Sequence, residues 1–473
     1  MGLRVLHYAD IETATDHPER VGRFVGLVRA LRDAETVVTG GGDNTAPGAL
    51  SLVTRGRQAL DVFSALEPDV ATLGNHDFDY GPMATRSVLA DAPQHWVAAN
   101  VRHTGDPFGA DIGVRPWTIL DRGDERVGIV GVLTPSTPDI TPEATGITVT
   151  DPVQAVREAV EAFETAGVDH RIVLSHLGDG DADLARAVDV DLVLGGHLHD
   201  ARLDRVDGTV LARPGANARA VVDARHAADG WTARIVPTDS KSPEPGVVDA
   251  LTARRRGNDL DAVVGRVADP IPRDRSRSFA GETRIGNLVA DAYRWATDAD
   301  IGLQNAGGIR EGPPLAGAVT VGDLVGVVPF DEPVSVGTVS GRDLRRLFAQ
   351  AAGVNLDFGR SDWWHAHLSG ARVVWDDDRE LVSRTTVDGS SVDPDRTYTV
   401  ATSDYLFETP HEFPVLTPSR RVERGPRQYD VLVEYVRSTG IAPAVEGRIT
   451  RTAFGGRGSS CAASHRDGPS TNG

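Results

Sequence analysis

Lysine is almost absent from this chain. Of its 49 basic side chains only Lys241 is not an arginine. A phosphate-binding loop of the strand, glycine-rich turn and lysine type is therefore excluded, because Lys241 sits in no such loop. Cysteine is as scarce: Cys461 stands alone in a Gly/Ser/Asn-rich stretch, which rules out an intramolecular disulfide, removes support for redox chemistry and fits a reducing compartment. There is no G-x-S-x-G turn to present a serine nucleophile. No run of 18 apolar residues is found. Met1-Gly2-Leu3-Arg4-Val5 enters a strand pattern directly, with no charged and then apolar leader, so the expectation is a soluble cytoplasmic protein.

Acid is what the chain has in excess. Its 68 acidic against 49 basic side chains leave a net charge of -19, which argues against duplex nucleic acid and anionic membranes as partners, since both need a basic footprint. Near-absence of lysine combined with surplus acid is the composition expected of a halophile's protein. In molar salt the Debye length falls to about 3 Å, so local arginines, rather than the global field, would decide whether an anion binds.

At 473 residues two domains are expected, because single cores seldom grow past about 250–300 residues. Residues 1–238 alternate β-rich runs with helical spacing, at 19–31 and 153–166 for example, the pattern of an α/β layered domain. Residues 239–258, with Pro243, Pro245 and Gly246, are read as a linker ending in a polar helix. Its Arg254-Arg255-Arg256 triplet is read as a solvated or ion-paired face. A second domain follows over 259–454, with helices near 284–297 and 342–352 and strands near 334–339, 371–375 and 397–402. The tail, 455–473, is too polar and glycine-rich to bury a core and is expected to be disordered.

In the first domain the polar residues fall where buried runs stop. Leu3 to Tyr8 ends at Asp10-Ile11-Glu12, Thr36 to Val38 at Gly40-Gly41-Gly42-Asp43-Asn44, and Asp69 to Leu73 at Gly74-Asn75-His76-Asp77-Phe78-Asp79. Arg171 to Ser175 ends at His176, and Asp191 to Leu194 at Gly195-Gly196-His197-Leu198-His199. Carboxyl ends of strands in an open α/β sheet lie along one edge, where ligands gather. Taken singly, each residue has an ordinary use: Asp10 or Asp43 could cap a helix, and a histidine after a strand can be a satisfied polar group. Taken together, three carboxylates, an amide and three imidazoles at five strand ends point to a metal centre. A dimetal site needs a bridging carboxylate, for which Asp43 is the best placed, and an imidazole to handle charge on the substrate, for which His76 braced by Asp79 is suited.

These motifs resemble those of the calcineurin-like metallophosphoesterases. The second domain narrows the resemblance to the two-domain 5'-nucleotidase family, which includes UDP-sugar hydrolases and 2',3'-cyclic nucleotide phosphodiesterases. Gly286-Asn287 with Asp291, Gln304-Asn305-Ala306-Gly307-Gly308-Ile309-Arg310, Val328-Pro329-Phe330 and Pro443 to Ile449 match that family's landmarks in order. The resemblance implies a layered β-sandwich flanked by helices, followed by an α/β substrate-binding domain. It also implies two divalent cations, one held by Asp10, Asp43 and His199, the other by Asp43, Asn75, His176 and His197, with His76 and Asp79 as the catalytic pair. Arg310 would bind the substrate's phosphate end, the alternative being a surface ion pair, and Asn287 and Asn305 would line the adjacent pocket.

Two departures from the family matter. Glu12 stands where histidine is usual, and this harder oxygen ligand favours Mn²⁺, with Mg²⁺, Zn²⁺ or Co²⁺ as alternatives. The family clamps a base between aromatic rings; here His365 and Tyr405 occupy those places beside Trp364, and Thr409-Pro410-His411-Glu412 replaces a glycine-rich turn. Trp364, His365 and Tyr405 would stack on a ring or else belong to a core. The expected function is release of inorganic phosphate from nucleoside 5'-monophosphates or related nucleotides. The alternatives are a phosphodiesterase or other ester hydrolase on the same metals, for cyclic nucleotides or UDP-sugars, and a non-catalytic nucleotide-binding protein.

Overall fold

A computed structural model describes residues 2–452. Cys461 and the expected disordered tail at 455–473 lie outside the described residues. The described chain forms two units, each with its own core. The first takes the chain up to Pro270 together with Pro314–Glu332 and Arg427–Gly440; the second takes Ile271–Pro313, Pro333–Pro426 and the chain from Ile441.

In the first unit twelve strands build two six-stranded sheets: β1 (Arg4–Tyr8), β2 (Thr36–Gly41), β3 (Val70–Thr72), β4 (His95–Trp96), β5 (Trp117–Arg122), β6 (Glu125–Leu133), β7 (His170–His176), β8 (Leu192–Gly195), β9 (Arg202–Val206), β10 (Thr209–Arg213), β11 (Ala220–Ala227) and β12 (Gly230–Pro237). One sheet runs in the order β12-β11-β1-β2-β3-β4 and the other β9-β10-β8-β7-β6-β5. Strands β1 to β4 are mutually parallel, as are β6, β7, β8 and β10. Parallel strands buried on both faces read as continuous apolar runs, and the alternation of side chains decides what each residue meets. Val127, Ile129, Ile172, Leu174, Leu192 and Leu194 pack with Leu3, Val5, Val37 and Val70 of the opposite sheet. Their neighbours Val130, Val132, Val173 and Val193 turn outward, to a layer with Val156, Ala159, Val160 and Phe163 of the helix Pro152–Ala166. The result is a sandwich with helices outside.

The expected helices appear at Pro18–Leu31 and Pro152–Ala166. The stretch expected to be a linker is instead part of the first unit. Its helix Pro245–Gly257 buries Val247 and Leu251, Glu244 caps its start, and Arg254 makes a two-pronged pair with Asp61 at 2.7 and 2.8 Å. Two of the three arginines are ion-paired, as expected: Arg255 meets Asp261 at 3.0 Å. Proline and serine at the segment's start hid the two apolar positions that dock it.

In the second unit a five-stranded sheet runs in the order Ala366–Ser369, Ile301–Asn305, Thr397–Ser403, Pro333–Ser340, Arg421–Arg427. Helices Arg284–Thr297 and Gly341–Gln350 start at Thr283 and Ser340, whose hydroxyls accept from the backbone of Gly286 and Asp343. Ile301, Leu303, Val400, Leu344, Phe348, Trp364 and Trp375 form the core. Among the described residues no helix is long and apolar enough to cross a membrane.

Candidate metal centre

The five turns expected to carry ligands come from two facing sheets. Those after β1, β2 and β3 belong to the first sheet; His176 ends β7, and His197 and His199 follow β8 of the second. Backbone hydrogen bonds stitch them together. The Asp10 amide donates to Gly42 O at 3.0 Å, Glu12 to Asp43 O at 3.3 Å, and Gly196 to Ser175 O at 2.9 Å. Gly74 lies so close to the Asp43 backbone that a Cβ there would sit 2.5 Å from the Asp43 nitrogen, so only glycine admits the third turn.

Four of the acid and imidazole groups stand on left-handed backbone, Asp10 at φ 52°, Glu12 at 44°, Asp43 at 52° and His197 at 75°. For residues other than glycine such conformations cost about 1–3 kcal/mol and persist where surrounding structure over-determines them, often at functional sites. Here the over-determination is visible. Asp77, enclosed beneath the turns, accepts from the backbone amides of Asp43, Asn44, Thr45 and Gly74 and from the Thr45 hydroxyl, at 2.8–3.2 Å. Asp77 thereby braces two turns far apart along the chain, a role that no local pattern reveals.

The ligand atoms of Asp43, His176 and His197 lie within 4.8 Å of one another, as do those of Asp10, Glu12 and His199, and of Glu12, Asp43 and His76. Asp43 Oδ2 meets His176 Nε2 at 3.0 Å, while Asp43 Oδ1 accepts from the His76 amide at 2.7 Å. His197 Nδ1 lies 2.9 Å from Asn75 Oδ1, and His199 Nε2 lies 2.9 Å from Glu12 Oε1. Asp10 accepts from the His197 amide through Oδ1 at 3.0 Å; its Oδ2 is fully buried with no protein partner. A buried, orphaned carboxylate oxygen among imidazoles is the donor set of a cation site.

Protonation tells the same story. Burial drives the Asp10 carboxyl well above its ordinary range, reinforced by Asp43 and Glu12 and opposed by His176. Burial also opposes charge on His176, but the Asp43 carboxylate beside it wins and pushes the imidazole up to about 10. His197 goes the other way, to about 4, through burial and the neighbouring His176. Without a cation, the raised Asp10 carboxyl and the protonated His176 beside Asp43 offset the buried negative charge; the donors fit a divalent ion that would take over that duty. Asp79 Oδ2 lies 3.0 Å from His76 Nδ1.

A further group, Glu125, His170 and His226, lies near the opposite ends of the strands. There the Trp231 indole donates to His170 Nδ1 at 3.3 Å, so the other ring nitrogen must keep the proton that faces Glu125. With both nitrogens engaged, His170 has no lone pair for a cation.

In the second unit the substrate candidates occupy varied surroundings. Arg310 is half-buried and its carbonyl accepts from Arg273 at 3.1 Å. Asn287 is fully enclosed and donates to Glu282 and to Ala444 O, both at 2.7 Å, which makes it a brace between the helix start and the 443–447 segment. Asn305 donates to Glu412 at 2.5 Å and accepts from Gln304 at 3.0 Å. Trp364 and His365 follow the core alternative: both are 0% exposed, Trp364 donating to Ala366 O within the core and His365 bound to Glu412. Tyr405 is half-buried against that core. Of the rings around His365, Phe358 is 40% exposed and Trp363 half-buried.

Residues 3–201 match the calcineurin-like phosphoesterase family, and residues 263–418 match the 5'-nucleotidase C-terminal domain. Over 80% of its length the chain is 29% identical to Endonuclease YhcR of Bacillus subtilis, and over 94% it is 25% identical to the Trifunctional nucleotide phosphoesterase protein YfkN of the same species. It spans about a third of those relatives, 34% and 35% of their lengths. A 5'-nucleotidase precursor from Thermus thermophilus shares the fold, with a TM-score of 0.79 at 22% identity, over 95% of this chain and 99% of that one. With both domain matches in the order that its motifs lead one to expect, the chain carries the two domains of the 5'-nucleotidase architecture, a calcineurin-like phosphoesterase domain followed by a 5'-nucleotidase C-terminal domain.

Proposed function

We propose that the protein releases inorganic phosphate from nucleoside 5'-monophosphates or related nucleotides. The observation that carries this reading is the pair of donor groups, Asp10/Glu12/His199 and Asp43/His176/His197, joined by Glu12 and Asp43 in a third group with His76. Asp43 and Asn75 would complete the two sites. Divalent cations held there supply Lewis acidity and a water ready for in-line attack on phosphorus. Glu12 brings an extra anionic oxygen to the first site, which favours Mn²⁺ over Zn²⁺. His76, oriented through Nδ1 by Asp79, would present its other nitrogen to the substrate oxygen and steady charge or a proton there. Arg310 remains the candidate for the phosphate end, and Tyr405 for a ring, by resemblance to the family.

A second reading is favoured by the enclosure of Trp364 and His365: with the expected ring contacts turned inward, the substrate would be a cyclic nucleotide, a UDP-sugar or another ester not gripped by its base. Metal-stripped protein assayed with Mn²⁺, Mg²⁺, Zn²⁺ or Co²⁺ against AMP, UDP-glucose, 2',3'-cyclic AMP and an aryl phosphate separates them. Phosphate release from AMP well above the other three supports the first reading; equal or faster turnover of the diesters supports the second.

A further inference from the structure

His7 lies on β1, is 0% exposed and takes no place among the donor groups. Its Nε2 lies 3.2 Å from the carbonyl of Gly195, at the end of β8 in the opposite sheet, and its Nδ1 lies 3.0 Å from Thr39 Oγ1 on β2. A carbonyl only accepts, so Nε2 carries the proton and Nδ1 accepts from the threonine hydroxyl. The ring passes over Gly41, where a Cβ would lie 2.8 Å from Nε2. Three residues after His7 comes Asp10, four after Thr39 comes Asp43, and two after Gly195 comes His197.

We infer that His7 is a positioning residue: its imidazole ties the strand ends that carry Asp10 and Asp43 to the turn that carries His197 and His199. Further polar links across the sheets at this level, among them His176 Nδ1 to Gly41 O at 2.7 Å and the His197 amide to Asp10 Oδ1 at 3.0 Å, are made by the donor residues themselves. His7 holds the same spacing without lending an atom to the cations. Burial, partly offset by its bond to Gly195 O, keeps the imidazole neutral by holding it down to about 4, so it adds no positive charge beside the acids.

The inference rests on the dimetal reading, and its test keeps the two apart. His7→Gln retains a donor in the place of Nε2, whereas His7→Asn reaches only the position of Nδ1. Mn²⁺ titration by calorimetry should give His7→Gln an affinity near that of the unaltered protein. His7→Asn should lose about tenfold or more, the range found when groups supporting metal ligands are removed. Hydrogen exchange at amides 196–199 should quicken in His7→Asn and not in His7→Gln. Equal affinities in all three proteins, or equal losses in both variants, overturn the role of His7; no Mn²⁺ binding by the unaltered protein overturns the dimetal reading and this inference with it. Should His7→Asn not fold, ¹⁵N spectra of the histidines, with His7 assigned from the resonances missing in His7→Gln, decide: an Nε2–H tautomer supports the link to Gly195, and an Nδ1–H tautomer overturns it.

Discussion

His76 is held at both ends, its amide by Asp43 Oδ1 at 2.7 Å and its ring by Asp79 at 3.0 Å. Because the backbone contact survives truncation of the ring, His76→Ala should keep its metal while turnover drops by about 10²–10⁴-fold, the usual worth of a positioned acid or base. Steady-state kinetics beside metal analysis checks this; undiminished turnover removes His76 from the mechanism. His176 makes a second prediction. Its imidazole is raised to about 10, so the metal-free protein carries a proton there at neutral pH that a cation must displace. The sign follows: affinity for Mn²⁺ rises with pH from 6 to 8, and calorimetry in buffers of different ionisation enthalpy should detect proton release. Binding that takes up protons would contradict the assignment. Without metal the same shift stabilises the fold fully below the ordinary histidine value of about 6.5, a contribution lost as pH climbs through about 10.

At the scale of elements, Asp77 joins the second and third turns through five hydrogen bonds. Asp77→Asn sets an amide NH₂ against donors, and the resulting unpaired groups should cost about 1–3 kcal/mol in urea unfolding, together with weaker Mn²⁺ binding. Unchanged stability would show that the brace is dispensable. Phe163 packs beneath β6, its ring meeting Gly128, and Phe163→Ala should cost about 3–5 kcal/mol. Mn²⁺ stoichiometry should stay the same, because Phe163 lies in the outer helical layer and not at the strand ends. The five turns that carry the candidate donors were legible as polar stops because each follows an apolar run. Their division between two sheets was not, since alternation says which face a side chain takes and nothing about which sheet a strand joins. Trp364 and His365 illustrate the same limit: adjacent Trp363 stays half-buried while they turn inward, and in an irregular segment no period predicts that turn.

For the whole molecule, the net charge of -19 makes compactness sensitive to salt. Screening relieves self-repulsion as the Debye length falls from about 10 Å at 0.1 M to about 3 Å at 1 M. The melting temperature should therefore rise between 0.1 M and molar KCl, and a fall would argue against the composition as an adaptation to salt. The two-domain division was legible in length and motifs, its boundaries less so. The segment 314–332 returns to the first unit, where Gly322 donates to Leu260 O at 2.8 Å, and 427–440 returns again. Contacts between residues far apart in sequence decide such membership, and composition carries no trace of them.

That repeated return has a bearing on how such proteins can be recombined. A hybrid that exchanges only the leading portion for a homologue's, joined at one splice near residue 260, would inherit foreign partners for the pieces at 314–332 and 427–440. Swaps of catalytic halves should respect every one of these junctions, and libraries built by single crossover will be poor in folded members for that reason.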